Sequence, residues 1–84
     1  MKIKLSNHAL SRAKERSIDL KYIEGVLKDP SDTINVRFGR KASYKQYNDK
    51  FVVVVFEEYD DKIVVVTVLK VDKERLKRYG FSRV

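Results

Sequence analysis

Cysteine and tryptophan are absent from this chain of 84 residues, and histidine and proline each occur once. Without cysteine the protein has no disulfide, no thiolate nucleophile and no cysteine-ligated zinc or iron–sulfur centre. A single histidine also excludes a histidine-rich metal site. Carboxylates do cluster near one predicted hairpin, at Glu57, Glu58, Asp60 and Asp61, but acidic residues at a strand end are more typical of a soluble turn than of a cation site. We therefore expect neither a metal nor a cofactor.

Long apolar segments are missing as well. The longest hydrophobic run, FVVVVF, is far too short to span a bilayer, and the opening MKIKLSNH lacks the apolar core of a signal peptide. We therefore expect no membrane association and a cytoplasmic location. The hydrophobic content of 43% is ordinary for a folded protein, and the length leaves room for one core, so residues 1–84 are expected to form a single domain.

Negative charge is scarce, which leaves a net charge of +7. The positive charge is concentrated in residues 1–16, 35–50 and 70–84, whereas residues 17–34 and 51–69 are net acidic. Segregated positive charge predicts a basic face that binds a polyanion such as RNA, through phosphate contacts and counterion release. The alternative is that the lysines serve only solubility. Membrane-surface binding is disfavoured because the basic residues are spread over several elements.

Two helices are predicted in the first third of the chain. Ser6 is a suitable N-cap for a helix over residues 7–16, with Leu10 and Ala13 on its inward face. A second helix follows and ends before Pro30. Its apolar stripe consists of Leu20, Ile23, Val26 and Leu27.

From Thr33 onward, the hydrophobic period changes from that of a helix to that of a strand. Four runs rich in β-branched and aromatic residues are separated by turn residues at Gly39, Asn48–Asp49 and Asp60–Asp61. This spacing predicts a four-stranded antiparallel meander, with residues 3–5 as a candidate short N-terminal strand. The last two runs are apolar on both faces, which favours a central position with the helices on one side.

A short C-terminal helix completes the predicted fold, since Asp72 is a suitable cap and Gly80 a suitable stop. The fold class is therefore α+β: two N-terminal helices packed on a four-stranded antiparallel sheet, followed by a short helix. The C-terminal segment KERLKRYGF resembles a basic amphipathic arm. In it, Leu76 and Phe81 are expected to dock on the sheet, and the phosphate-tracking residues would be Lys77, Arg78 and Arg83.

Two segments resemble the domain-of-unknown-function family DUF4258: HALSRAKERSIDLKYIEGVLKDP (residues 8–30) and YNDKFVVVVFEEYDDKIVVVTVLK (residues 47–70). The likeness extends over about 65 residues. Where that family usually has glycine in ERGI, this chain has Ser17. Families of this shape look like the RelE/ParE-type toxins and the wider group of metal-independent ribonucleases. The resemblance implies a RelE-like domain over residues 1–84 that cleaves RNA, with an antitoxin protein as a candidate partner.

His8, Arg12 and Arg16 recur every four residues and therefore lie on one stripe of the first helix. Metal-free RNA cleavage needs a base for the 2′-hydroxyl, an acid for the leaving oxygen and cations for the phosphorane. An imidazole beside two guanidiniums supplies parts of that set. The positive first turn and both arginines favour an uncharged imidazole, which suits a general base. The alternative is a histidine that makes only a local hydrogen bond.

Thr67 interrupts the valine-rich last strand, on the face predicted to carry Ile63, Val65 and Leu69. A threonine in a central strand usually serves as a β-former. Its position within the family-like hairpin makes it the candidate for a hydroxyl that faces His8. The predicted catalytic set is His8, Arg12, Arg16 and Thr67.

Basic residues alternate with tyrosines in RFGRKASYKQY, residues 37–47. Cations that bind phosphates, beside rings that stack on unpaired bases, suit RNA. The alternative is a lysine-rich edge strand with one tyrosine in the core. Alternation gives each face of this strand a cation and a tyrosine, so either face is a candidate for RNA. The predicted RNA-binding residues are Arg37, Arg40, Lys41, Tyr44, Lys45 and Tyr47.

Two functions fit these features. The first is a toxin-like, metal-independent endoribonuclease, the toxin of a toxin–antitoxin pair. The second is a non-catalytic basic module that binds RNA or a partner protein. Cleavage that depends on His8 would separate the first from the second.

Overall fold

A mixed five-stranded sheet forms the centre of the computed structural model, which describes residues 2–82. The strands are β1 (Lys2–Leu5), β2 (Asp32–Val36), β3 (Arg40–Tyr47), β4 (Lys50–Glu58) and β5 (Lys62–Val71). The helices are α1 (Asn7–Glu15), α2 (Leu20–Lys28) and α3 (Lys73–Tyr79), and a turn over Arg37–Gly39 joins β2 to β3. The strand order is β1-β5-β4-β3-β2. Arg83 lies outside the described residues.

The sheet differs from the predicted four-stranded antiparallel meander in its first strand. β1 pairs with β5 in parallel, with Ile3 opposite Ile63 and Leu5 opposite Val65, whereas all other neighbouring strands are antiparallel. The antiparallel pairs are joined by short turns whose residues are visible in the sequence. A parallel pair needs a long crossover and leaves no turn signal, so this pairing escaped sequence reasoning.

Each face of the sheet carries its own hydrophobic core. α1 and α2 cover one face, the α1/α2 face, where Ala9 and Val26 belong to the cluster around Val54. α3 covers the other, the α3 face, where Leu76 and Phe81 are buried. The two N-terminal helices therefore lie on one side of the sheet, as predicted, whereas α3 lies on the other. β4 and β5 are apolar on both faces because helices cover both.

A β-bulge interrupts β5. Thr67 pairs with Val55, whereas Val65 pairs with Phe56, so Val66 is an extra residue without a partner on β4. A bulge reverses the in–out alternation beyond it. Val65 therefore packs on the α1/α2 face, while Thr67 shares the α3 face with its cross-strand partner Val55. The prediction that Thr67 and Val65 share a face is wrong.

α1 is tied to the sheet at its first turn. The Ser6 side chain accepts a hydrogen bond from the Ala9 N–H at 3.0 Å and donates one to the Val66 carbonyl at 3.0 Å. It therefore caps the helix, as predicted, and also attaches it to β5. Leu10, predicted to face inward, is 46% exposed, because α1 lies against the sheet on the small side chains of Ala9 and Ala13.

Candidate nucleic-acid interface

The stripe on α1 combines three differently placed polar groups. His8 is exposed in the first turn. One turn later, Arg12 donates from Nη1 to Glu15 Oε2 at 2.9 Å, so part of its charge is already neutralised. Arg16 ends the helix half-buried, and its Nη1 is buried with no hydrogen-bond partner within residues 2–82. The stripe therefore offers an accessible imidazole at His8, whereas Nη1 of Arg16 is closed to solvent.

Thr67 is separated from the other predicted catalytic residues by the sheet. α1 packs on the α1/α2 face, whereas Thr67 lines a cavity on the α3 face together with Arg40 and Tyr79. The structure thus brings His8, Arg12 and Arg16 together on one helix. It does not bring Thr67 to His8, because the bulge at Val66 turns the hydroxyl away from α1.

The predicted RNA-binding cations of β3 all have carboxylate partners. Arg40 Nε lies 3.0 Å from Glu57 Oε2, Lys41 Nζ 2.7 Å from Glu58 Oε1, and Lys45 Nζ 2.9 Å from Asp29 Oδ2. These acids are 16 or 17 residues away in sequence, and strand pairing or α2 supplies them. Partly exposed pairs of this kind add little stability, so a phosphate can displace the carboxylate at small cost.

Two of these ion pairs shift the ionisation of their members. The hydrogen bond to the Asp29 carboxylate raises the pKa of Lys45 above its ordinary value. Hydrogen bonds from Arg40 and from the Tyr59 hydroxyl lower the pKa of Glu57. The hydrogen bond between the Tyr59 hydroxyl and Glu57 also raises the pKa of Tyr59. Lys45, Glu57 and Tyr59 therefore keep their usual charges at neutral pH.

The tyrosines of β3 serve the core more than the surface. Tyr44 is buried and meets Phe51 and Phe81 edge to face, with ring centroids 5.8 and 4.7 Å apart. Tyr47 is half-buried, meets Tyr22 edge to face at 4.7 Å and donates to the Tyr22 carbonyl at 3.4 Å. The alternative of an edge strand is also wrong, because β3 lies between β2 and β4. The expected tyrosine in the core is Tyr44.

Two aromatic residues that face solvent beside the Thr67 cavity were not predicted from the sequence. Phe38, in the turn between β2 and β3, is 83% exposed, and Tyr79, at the end of α3, is 38% exposed. Both line the cavity that holds Thr67, and the exposed Arg37 lines it too. The only signal in the sequence was a phenylalanine beside a turn glycine in RFG, where a polar residue is more usual.

Two kinds of feature are absent from residues 2–82. No group of three or more histidine, aspartate or glutamate side chains is arranged to hold a metal ion. No helix in this range is both long and apolar enough to cross a membrane.

Comparison with known families accounts for most of the chain. The model of DUF4258, described as "Domain of unknown function (DUF4258)", matches residues 5–70. The chain belongs to this family. The match confirms the DUF4258 resemblance and includes the α1 stripe, all of β3 and Thr67, whereas α3 lies beyond it. No curated protein and no solved structure matches this DUF4258 protein.

Proposed function

We propose that this DUF4258 protein acts on RNA as a toxin-like endoribonuclease that needs no metal ion. The observation that carries the proposal is the exposed imidazole of His8 in the first turn of α1, with Arg12 and Arg16 following on the same stripe. The resemblance of the family to RelE/ParE-type toxins supports the same reaction.

The stripe supplies one imidazole and two cations for this reaction, so His8 serves first as the base and then as the acid. His8 accepts the proton of a 2′-hydroxyl, and that oxygen attacks the adjacent phosphorus. The bond from phosphorus to the 5′-oxygen of the next nucleotide breaks, and the imidazolium returns its proton to that leaving oxygen. The products are a 2′,3′-cyclic phosphate and a 5′-hydroxyl. Arg12 and Arg16 stabilise the charge on the phosphorane.

Charge supports an anionic substrate. Within residues 2–82, only Arg12, Arg40, Lys41 and Lys45 form ion pairs with carboxylates, while the whole chain carries a net charge of +7. Most basic side chains are therefore free to contact phosphates. The same charge would favour an acidic antitoxin as the partner of a toxin.

The proposal predicts cleavage that depends on His8. Purified protein incubated with RNA in EDTA should leave 2′,3′-cyclic phosphate ends, and His8→Ala should slow cleavage by about 100-fold or more, because general acid–base catalysis is lost. His8 is exposed, so the variant should fold normally. Lys14→Ala, an exposed change on the same helix outside the stripe, is the matched control. Equal activity of His8→Ala and the native protein would overturn the role of His8.

A second candidate is a non-catalytic RNA-binding module. It is favoured by the position of Thr67, since the sheet separates the hydroxyl from His8 and leaves the imidazole without the predicted partner. Salt-sensitive retention of RNA without turnover would support this module over the nuclease. Failure to retain RNA at low salt would reject both and favour a protein partner.

A further inference from the structure

Phe38 is an unfavourable residue for its turn in two respects, its exposure and its backbone conformation. It is 83% exposed, more than any other large hydrophobic side chain within residues 2–82. Its backbone, at φ 64° and ψ 31°, lies in the left-handed region that side chains other than glycine and asparagine rarely adopt. Glycine would satisfy the same turn at lower cost. Strain of this kind, held at an exposed position, points to a role in binding.

The cavity beside Phe38 has the size and the lining of a ligand site. It measures about 600 Å³ and lies on the α3 face, with Val55 and Val66 among its apolar lining. This volume falls within the range of roughly 300–1,000 Å³ typical of small-molecule sites. Tyr79 of α3 also lines the cavity, and its ring stacks on Phe81 with centroids 6.1 Å apart and planes at 15°. The cavity therefore has an exposed aromatic ring on each of two elements.

Positive charge accompanies these rings. The Arg40 guanidinium carbon lies 5.7 Å from the centroid of the Phe38 ring, and the exposed Arg37 precedes Phe38 in the turn. Within residues 2–82 Arg37 forms no ion pair with a carboxylate, whereas Arg40 binds Glu57. An aromatic ring with cations beside it suits a ligand that is flat at one end and anionic at the other. An uncharged apolar peptide would leave Arg37 without a counter-charge.

From these features we infer that this cavity binds an unpaired nucleobase of single-stranded RNA. The base stacks on Phe38 and Tyr79, its edge meets the Thr67 hydroxyl, and Arg37 and Arg40 hold the adjacent phosphate. The inference rests on the proposed action on RNA and adds a base-binding subsite to it. It also gives Thr67 a binding role in place of the catalytic role that its position does not support.

The subsite and the α1 stripe are linked through β5. Val66 lines the cavity, and its carbonyl accepts the hydrogen bond from Ser6, the N-cap of the helix that carries His8. Val66 therefore contacts the cavity on one face of the sheet and the start of α1 on the other.

The test measures binding separately from cleavage. Fluorescence anisotropy with a labelled 2′-O-methyl oligouridylate, which has no free 2′-hydroxyl for cleavage, should show roughly tenfold weaker binding for Phe38→Leu and for Tyr79→Leu, since base–aromatic contacts are lost. Leu20→Ala is the matched control, because Leu20 is a large apolar side chain that is 53% exposed and lies outside the cavity. Its affinity should match that of the native protein.

The outcomes distinguish the subsite from the nuclease. Unchanged affinity of Phe38→Leu, or equal losses in Phe38→Leu and Leu20→Ala, would overturn the subsite whether or not His8→Ala abolishes cleavage. Weakened binding of Phe38→Leu, with cleavage unaffected by His8→Ala, would keep the subsite and reject the role of His8. If adenosine monophosphate binds as tightly as the oligonucleotide, the ligand of the cavity is a free nucleotide, and the assignment to RNA is overturned.

Phe38→Gly separates a binding role from a structural one. Glycine adopts the left-handed conformation without strain, so the melting temperature of this variant should equal or exceed that of the native protein. Its affinity for the oligonucleotide should fall as in Phe38→Leu. A lower melting temperature with unchanged affinity would show that Phe38 serves the fold and would overturn the proposal.

Discussion

At the scale of single residues, three non-glycine residues between Lys2 and Ser82 have a positive φ and lie in turns: Ser17, Phe38 and Asn48. Asn48 tolerates this conformation well, because a short polar side chain can hydrogen-bond locally, and the sequence identified its hairpin. Ser17 has a short polar side chain but is less suited to this conformation than asparagine, and Phe38 has no polar group that could form such a hydrogen bond. Their turns are formed because the flanking elements are held by the core, and each turn carries a local cost.

Ser17 ends α1 in the position that usually takes glycine. The Ile18 N–H donates to the Ala13 carbonyl and the Ser17 N–H to the Lys14 carbonyl, which is the hydrogen-bond pattern of a Schellman motif. Ser17, at φ 54°, occupies its left-handed position. This geometry explains the glycine that the DUF4258 resemblance leads one to expect there.

Ser17→Gly should therefore stabilise the protein. The left-handed cost of about 1–2 kcal/mol is removed, and the extra freedom of glycine in the unfolded chain takes back roughly 0.4–1 kcal/mol. We expect the free energy of unfolding in urea to rise by about 0.5–1 kcal/mol. Ser11→Gly, an exposed change inside α1, should instead lower it, because glycine weakens a helix interior. A loss of stability in both variants would contradict this account of the turn.

At the scale of elements, α2 approaches β3 closely at one point. A Cβ atom at Gly25 would meet the Tyr47 hydroxyl. That hydroxyl in turn donates to the Tyr22 carbonyl one turn earlier in α2. Glycine in the middle of a helix is unfavourable by itself, so its presence here is explained by the space that Tyr47 takes.

Gly25→Ala tests this contact. Overpacking should cost about 1–3 kcal/mol, against a gain of about 1 kcal/mol in helix propensity, so we expect lower or at best unchanged stability. In a Tyr47→Phe background the clash is absent, and Gly25→Ala should then stabilise the protein. A double-mutant cycle from urea unfolding measures the coupling. If Gly25→Ala alone raises the free energy of unfolding by the full helix-propensity gain, α2 and Tyr47 are not in tight contact.

At the scale of the whole molecule, stability depends on two cores that share one sheet. The α1/α2 face is covered by two helices, whereas the α3 face is covered by one helix of 7 residues. A helix this short is not stable in isolation. Leu76 and Phe81, which are 0% and 1% exposed, attach α3 to the sheet.

Leu76→Ala should therefore lower the stability of the protein strongly, even though α3 is a short helix. The loss of a fully buried leucine costs about 2–5 kcal/mol, a large part of the roughly 5–15 kcal/mol that holds a typical domain folded. Lys77→Ala, its exposed neighbour, should change stability by less than about 0.5 kcal/mol. Thermal unfolding of both variants checks the prediction. Similar melting temperatures would mean that the second core contributes little.

The candidate site was predictable where its geometry is local. His8, Arg12 and Arg16 share a stripe because helical periodicity alone brings residues four apart together. The carboxylate partners of Arg40, Lys41 and Lys45 were not predictable, because strand pairing and the path of α2 bring them from distant positions in the chain. The exposure of Phe38 was missed for a related reason, since an apolar residue in a sequence suggests burial unless the fold leaves it outside.

Local sequence patterns were enough to predict the secondary-structure elements: the helices with their caps at Ser6 and Asp72, the four strands after residue 31 and the turns between them. These follow from periodicity, capping and turn chemistry, which act over a few residues. The parallel pairing of β1, the position of α3 on the second face and the orientation of Thr67 became apparent only in the folded molecule. Those features depend on contacts between residues far apart in the chain and, at Thr67, on a single inserted residue that no local pattern encodes.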